Sequence, residues 1–189
     1  MPSLDDTFQE LLDKLRQPEA LNAARIDPFF YFVHDPGETL QVKKNLTHWI
    51  GALAREGWKV ECVSLSDLLW KIVDSSGRWQ EWLALEPDAD PPELNRAVGD
   101  VVRREDALVK AVAQMVSADR PRTIVFLTDA ATLHPYFRVR ILENALHDQV
   151  KTPTVLFYPG RRMGQYGLRF LGTYKEDGNY RACIIGGLS

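Results

Sequence analysis

Four arginines and a tyrosine in the last third of the chain offer the most chemistry that the sequence contains. Arg161 and Arg162 follow Pro159-Gly160, Tyr166 and Arg169 flank the next turn, and Arg138 opens the preceding amphipathic segment. Guanidinium groups take up carboxylates and phosphates through paired N–H donors. Segment 160–167 (GRRMGQYG) leaves the end of an apolar run, where open α/β sheets hold their ligands. It is expected to be a binding loop, with Arg138, Arg161, Arg162, Tyr166 and Arg169 as partner contacts. The plainer reading is a connecting loop whose glycines only permit its turns.

A second place for chemistry is the junction after the first apolar run. In many nucleotide-binding α/β domains a glycine-rich loop there cradles phosphate on backbone N–H groups, with a lysine beside it. This chain has Asp35-Pro36-Gly37-Glu38 instead. Asp35 suits a helix N-cap, Pro36 lacks an N–H, and Glu38 repels phosphate. The junction therefore argues against nucleotide binding. Thr128-Asp129, at the end of a later apolar run, looks like the magnesium-holding strand of phosphate-loop ATPases, but without the loop it is a weak signal. The plainer role for Asp129 is capping or packing. His34, His48, His134 and His147 show no metal-ligand spacing, and the two cysteines, Cys62 and Cys183, read as buried thiols. No catalytic, cofactor or metal residues are assigned, and no enzymatic activity is expected.

Composition sets the limits. With 189 residues, 45% of them hydrophobic, the chain suffices for one α/β domain over 1–189. No apolar run approaches the ~20 residues of a membrane span, and the acidic start is unlike a secretory signal. A cytoplasmic protein is expected. Residues 1–119 hold 13 basic and 21 acidic residues, whereas 120–189 hold 10 and 5. A basic last third suits an anionic partner, protein or nucleic acid, unless folding mixes the two halves on one surface.

The elements that must position these groups follow from periodicity. Helices are expected at 3–16, from Asp35 to about Glu56, after Ser64 or Ser66, over 79–85, from Asp90 to about Ala118, and over 135–149. Strands are expected at 28–33 (PFFYFV), 58–65, 123–128 and 153–158, with a polar loop at 86–92 (EPDADPP). Segments 168–174 and 180–185 flank Glu176-Asp177-Gly178-Asn179, a turn signal that predicts a small C-terminal β-hairpin. Alternating strands and helices imply a mostly parallel sheet with helices on both faces.

Several motifs together resemble one family. They are a leucine-rich first helix (Phe8 to Leu15), an aromatic strand ending in acid-proline (Phe29 to Pro36), and Leu133-His134-Pro135-Tyr136-Phe137-Arg138 after a strand and threonine. A strand ending in Pro-Gly (Val155 to Gly160) and Asn179-Tyr180-Arg181-Ala182 complete the set. The chain resembles the BrxB-like proteins of BREX phage-defence systems, with Asp129 where that pattern suggests glycine and one tyrosine where it suggests two. The resemblance implies a degenerate nucleotide-binding-like fold, similar to phosphate-loop NTPases but without the phosphate loop. It further implies a non-catalytic adaptor that contacts other BREX components, foremost the alkaline-phosphatase-like PglZ protein. The alternative is a nucleic-acid-binding module that uses the basic last third. Weak, nonspecific DNA binding by the isolated protein is expected in the adaptor reading.

Overall fold

The computed structural model describes residues 2–21, 27–164, 167–175 and 182–187. The chain opens with α1 (Leu4–Leu15), whose Ser3 side chain and Asp6 form a reciprocal capping box. Then come β1 (Phe29–His34), α2 (Thr39–Arg55), β2 (Lys59–Ser64), α3 (Leu65–Ser75) and α4 (Trp79–Leu85). They are followed by α5 (Pro91–Arg103), α6 (Ala107–Val116), β3 (Thr123–Thr128), α7 (Val139–Leu146), β4 (Thr154–Met163), β5 (Gly167–Phe170) and β6 (Cys183–Gly186).

The sheet runs β2-β3-β4-β1-β6, all pairs parallel, and β5 adds antiparallel to the far end of β4. β1 and β3 are buried at every residue because helices cover both faces. Alternation sorts the side chains. Phe30, Phe32, Phe126 and Phe157 point to a layer built by α1 and α2, where Trp49 stacks on Phe8 at 5.1 Å and on Phe157 at 6.0 Å. Tyr31, Val33, Val125, Leu127 and Tyr158 point to the other layer, built by α3 to α7. Burying each such residue contributes about 1.5–3 kcal/mol. This is the predicted α/β sheet with helices on both faces. The strand order, with β4 between β3 and β1, agrees with the expected nucleotide-binding-like topology.

Four expectations need correction. The helix predicted from Asp90 to Ala118 is two helices, α5 and α6. Glu105 and Asp106 between them adopt φ of 52° and 57°, and the break turns both apolar stripes onto the same core. The segment predicted as helix over 135–149 is helical only at Val139–Leu146. Cys62 is exposed, because β2 is an edge strand with one face partly open to solvent, and Cys183 is half-buried. The hairpin expected between 168–174 and 180–185 is not the one formed: β5 pairs antiparallel with β4. β6 instead pairs with β1, the turn at 176–179 lying outside the described residues. β6 is fastened by carboxylates. Glu10 accepts the Gly186 N–H at 3.1 Å, and Glu143 accepts the Ala182 N–H at 3.4 Å and the Tyr31 hydroxyl at 3.1 Å.

Candidate functional site

The carboxyl ends of β1, β3 and β4 meet the start of α2, the place where a nucleotide would sit in this topology. Protein groups fill it. Asp35 accepts the Gly37 N–H at 2.9 Å, and Glu38 returns to the Asp35 N–H at 3.2 Å. This reciprocal cap closes a 3₁₀ turn at Pro36–Glu38, after which α2 begins. Lys43, one turn further on, makes an ion pair of 2.5 Å with Asp129 at the end of β3. Thr128 donates to the same carboxylate at 3.0 Å. Burial alone would raise the Asp129 carboxyl, but hydrogen bonds from Lys43, Ser64 and Thr128 and the lysine charge outweigh it, leaving it below the usual carboxylate value. His34 is buried at the same pole, its Nδ1 2.9 Å from the Asp35 carbonyl oxygen. Burial lowers its pKa against the opposing pull of that carbonyl and of Glu38 and Asp35. A cavity of about 20 Å³, room for about one water, remains between His34, Lys43, Asp129 and Pro159.

The arginines lie just beyond this pole. β4 continues past Pro159-Gly160 to Met163, so Arg161 and Arg162 are strand residues of a tight hairpin rather than members of the open loop expected at 160–167. Gly160 is required there, since a Cβ would stand 2.4 Å from the Arg169 carbonyl oxygen. Register places Arg161 opposite Arg169, on the side of the sheet that carries α2. Arg161 reaches the Asp35 carboxylate at 3.4 Å, while the half-buried Arg169 has its Nε enclosed with no hydrogen-bond partner among the described residues. Arg162 pairs with Leu168 on the opposite side and bonds the Gly164 carbonyl at 3.2 Å. Arg138 stands at the N-cap of α7 and lines a small cavity with Tyr158, Phe170 and Tyr174. Tyr166 lies outside the described residues. The five expected contacts thus include one facing arginine pair, with Arg162 turned to the other side. The two charge halves also mix in part: Arg161 meets Asp35, and Arg120 meets Glu61.

Residues 61–185, well over half of the chain, match the family model described as BREX protein BrxB. The chain belongs to the BrxB family. No curated protein and no solved structure matches it. Membership makes this protein a component of a BREX phage-defence system. The match includes β3, α7, β4 and β6 but not the leucine-rich first helix or the aromatic first strand that also carried the resemblance. Among the described residues, no helix is long and apolar enough to cross a membrane.

Two features of this BrxB-family chain escape sequence reading. Asp129 has φ of 61°, in the left-handed region that favours glycine, which is why glycine suits the position. Here the carboxylate found a partner in Lys43, a pairing between distant segments that spacing does not reveal. The second is at the opposite pole, where Asp27, His147 and Asp148 bring ligand-type atoms within 4.8 Å of one another. His147 Nδ1 lies 2.9 Å from Asp27, whose same oxygen accepts the Asp148 N–H at 2.9 Å. The His147 reading from linear spacing missed this cluster, which ties the entry of β1 to the end of α7.

Proposed function

We propose that the protein is a non-catalytic adaptor in a BREX complex, and that it binds an acidic surface of a partner such as the PglZ-like protein through the arginine edge of the β4–β5 hairpin. The observation that carries this reading is the register of Arg161 against Arg169. Like charges directly opposite each other on one sheet face cost stability. Among the described residues a carboxylate, that of Asp35, meets only Arg161, so a partner carboxylate at this edge would relieve the repulsion and add charge-assisted hydrogen bonds. The non-catalytic part rests on the filled pole. The Asp35–Glu38 cap, the Lys43–Asp129 pair and the roughly water-sized cavity leave a phosphate no cradle.

The test is co-elution. A tagged copy expressed from the intact gene cluster is expected to bring down the PglZ-like protein stoichiometrically, with the contact weakened by Arg161→Glu. Elution of the tagged protein with DNA instead, lost steeply with rising salt, would favour a nucleic-acid-binding module.

A further inference from the structure

We propose that the groove between α4 and α5 is a second docking site, one that takes a basic amphipathic helix of a partner polypeptide. The groove encloses about 310 Å³. Its floor is apolar, made by Trp82, Leu85 and Leu94, and its rim carries Glu81, Asp88 and Glu93. Leu83 and Leu85 on α4 are 53% and 54% exposed, large apolar side chains left in water on a seven-residue helix.

Charge decides the kind of partner. Between Arg78 and Asp100 the chain holds six acidic residues and two basic ones. Arg78 is turned back on its own helix, 3.0 Å from Glu81 and over the Trp82 ring. Asp88 and Glu93 make no ion pair with any described residue. An acidic rim around an apolar floor repels phosphate backbones and suits leucine or aromatic anchors flanked by lysine or arginine. The walls are two helices and among the described residues no strand edge lines the groove, so a helix packed ridge into groove fits it, whereas an added strand would find no backbone to pair with. The site belongs to the α3–α7 layer, and the Arg161–Arg169 pair faces the α2 side. The inference therefore stands whether or not the arginine edge binds the partner proposed above.

Selection from a displayed library of random peptides about four helical turns long tests this on the intact protein. The expected result is enrichment of basic sequences with apolar residues at i, i+3 or i+4, and i+7. The Asp88→Lys/Glu93→Lys variant should melt within a few degrees of wild type, because both positions are exposed and a lysine in the first turn of α5 costs only about 1 kcal/mol, yet bind the selected peptide at least about tenfold more weakly. Leu85→Ser should weaken it as well. Failure to enrich any peptide, enrichment without basic excess, or equal binding by the charge-reversed variant overturns the proposal. So does sedimentation that shows the wild type self-associating through this face and Leu85→Ser remaining monomeric.

Discussion

Removing the lysine from the closed pole should destabilise the fold in a way that depends on Asp129. Lys43 Nζ stands 2.5 Å from the Asp129 carboxylate, whose side chain is 15% exposed while that of Lys43 is 50% exposed. Exposed pairs contribute about 0–1 kcal/mol, and breaking a fully buried one costs about 3–5 kcal/mol. With one end in solvent and two hydroxyls left on the carboxylate, Lys43→Met should cost about 1–2 kcal/mol. Asp129 carries a second, backbone term. At φ of 61°, Asp129→Ala loses the pair and also meets the left-handed penalty of roughly 1–2 kcal/mol. Asp129→Gly loses the pair but relaxes the backbone, so it should be the milder substitution by about 1 kcal/mol. Urea unfolding of the three variants and of Lys43→Met/Asp129→Gly closes a double-mutant cycle, and each kcal/mol corresponds to about 2–4 °C in Tm at this size. The folded carboxyl lies below its usual value, so its stabilisation is present above the ordinary carboxylate range and is lost as pH falls through the folded pKa. Additive single mutants would refute the ion pair, and Asp129→Gly no milder than Asp129→Ala would refute the backbone argument.

Other outcomes follow from the same geometry. Gly160→Ala should destabilise by about 1–3 kcal/mol, since the new Cβ meets the backbone oxygen of Arg169 and not a yielding side chain; a denaturation curve overlying wild type would contradict this. His34 has a lowered folded pKa, so it favours the fold above about pH 6.5 and loses that contribution as pH falls toward the folded value. His34→Gln should flatten the fall of Tm as pH drops below about 6.5, and an unchanged slope would remove His34 as its source. Calorimetry with ATP and magnesium should show no stoichiometric micromolar site. A saturable isotherm abolished by Lys43→Met would mean the pole opens.

What was legible in the sequence was whatever short-range pattern controls. Three apolar runs announced β1, β3 and β4 because a strand covered on both faces needs no polar alternation, and Ser3, Asp35 and Ser64 marked turn or helix starts through their own side chains. The break at Glu105 was hidden, since apolar spacing continues across it and only tertiary packing shows that the two stripes must converge. β6 was hidden for a related reason. Its apolar residues identify a strand, but its place beside β1 is fixed by Glu10 on α1 and Glu143 on α7, far away in the chain. In the candidate site, arginine content was visible and sidedness was not, because the continuation of β4 through Arg161 and Arg162 sends the two guanidiniums to opposite faces.

The adaptor reading meets its most direct test in one pull-down, with purified PglZ-like partner from the same gene cluster and wild-type or Arg161→Glu protein as bait. Arg161 is an exposed strand residue whose one ion pair among the described residues, with Asp35, is 3.4 Å long, so the substitution should move stability by no more than about 1 kcal/mol. The account predicts that Arg161→Glu melts with the wild type and captures at least about tenfold less partner, with Arg161→Lys retaining part of the capture. Full capture by a folded Arg161→Glu protein would contradict it.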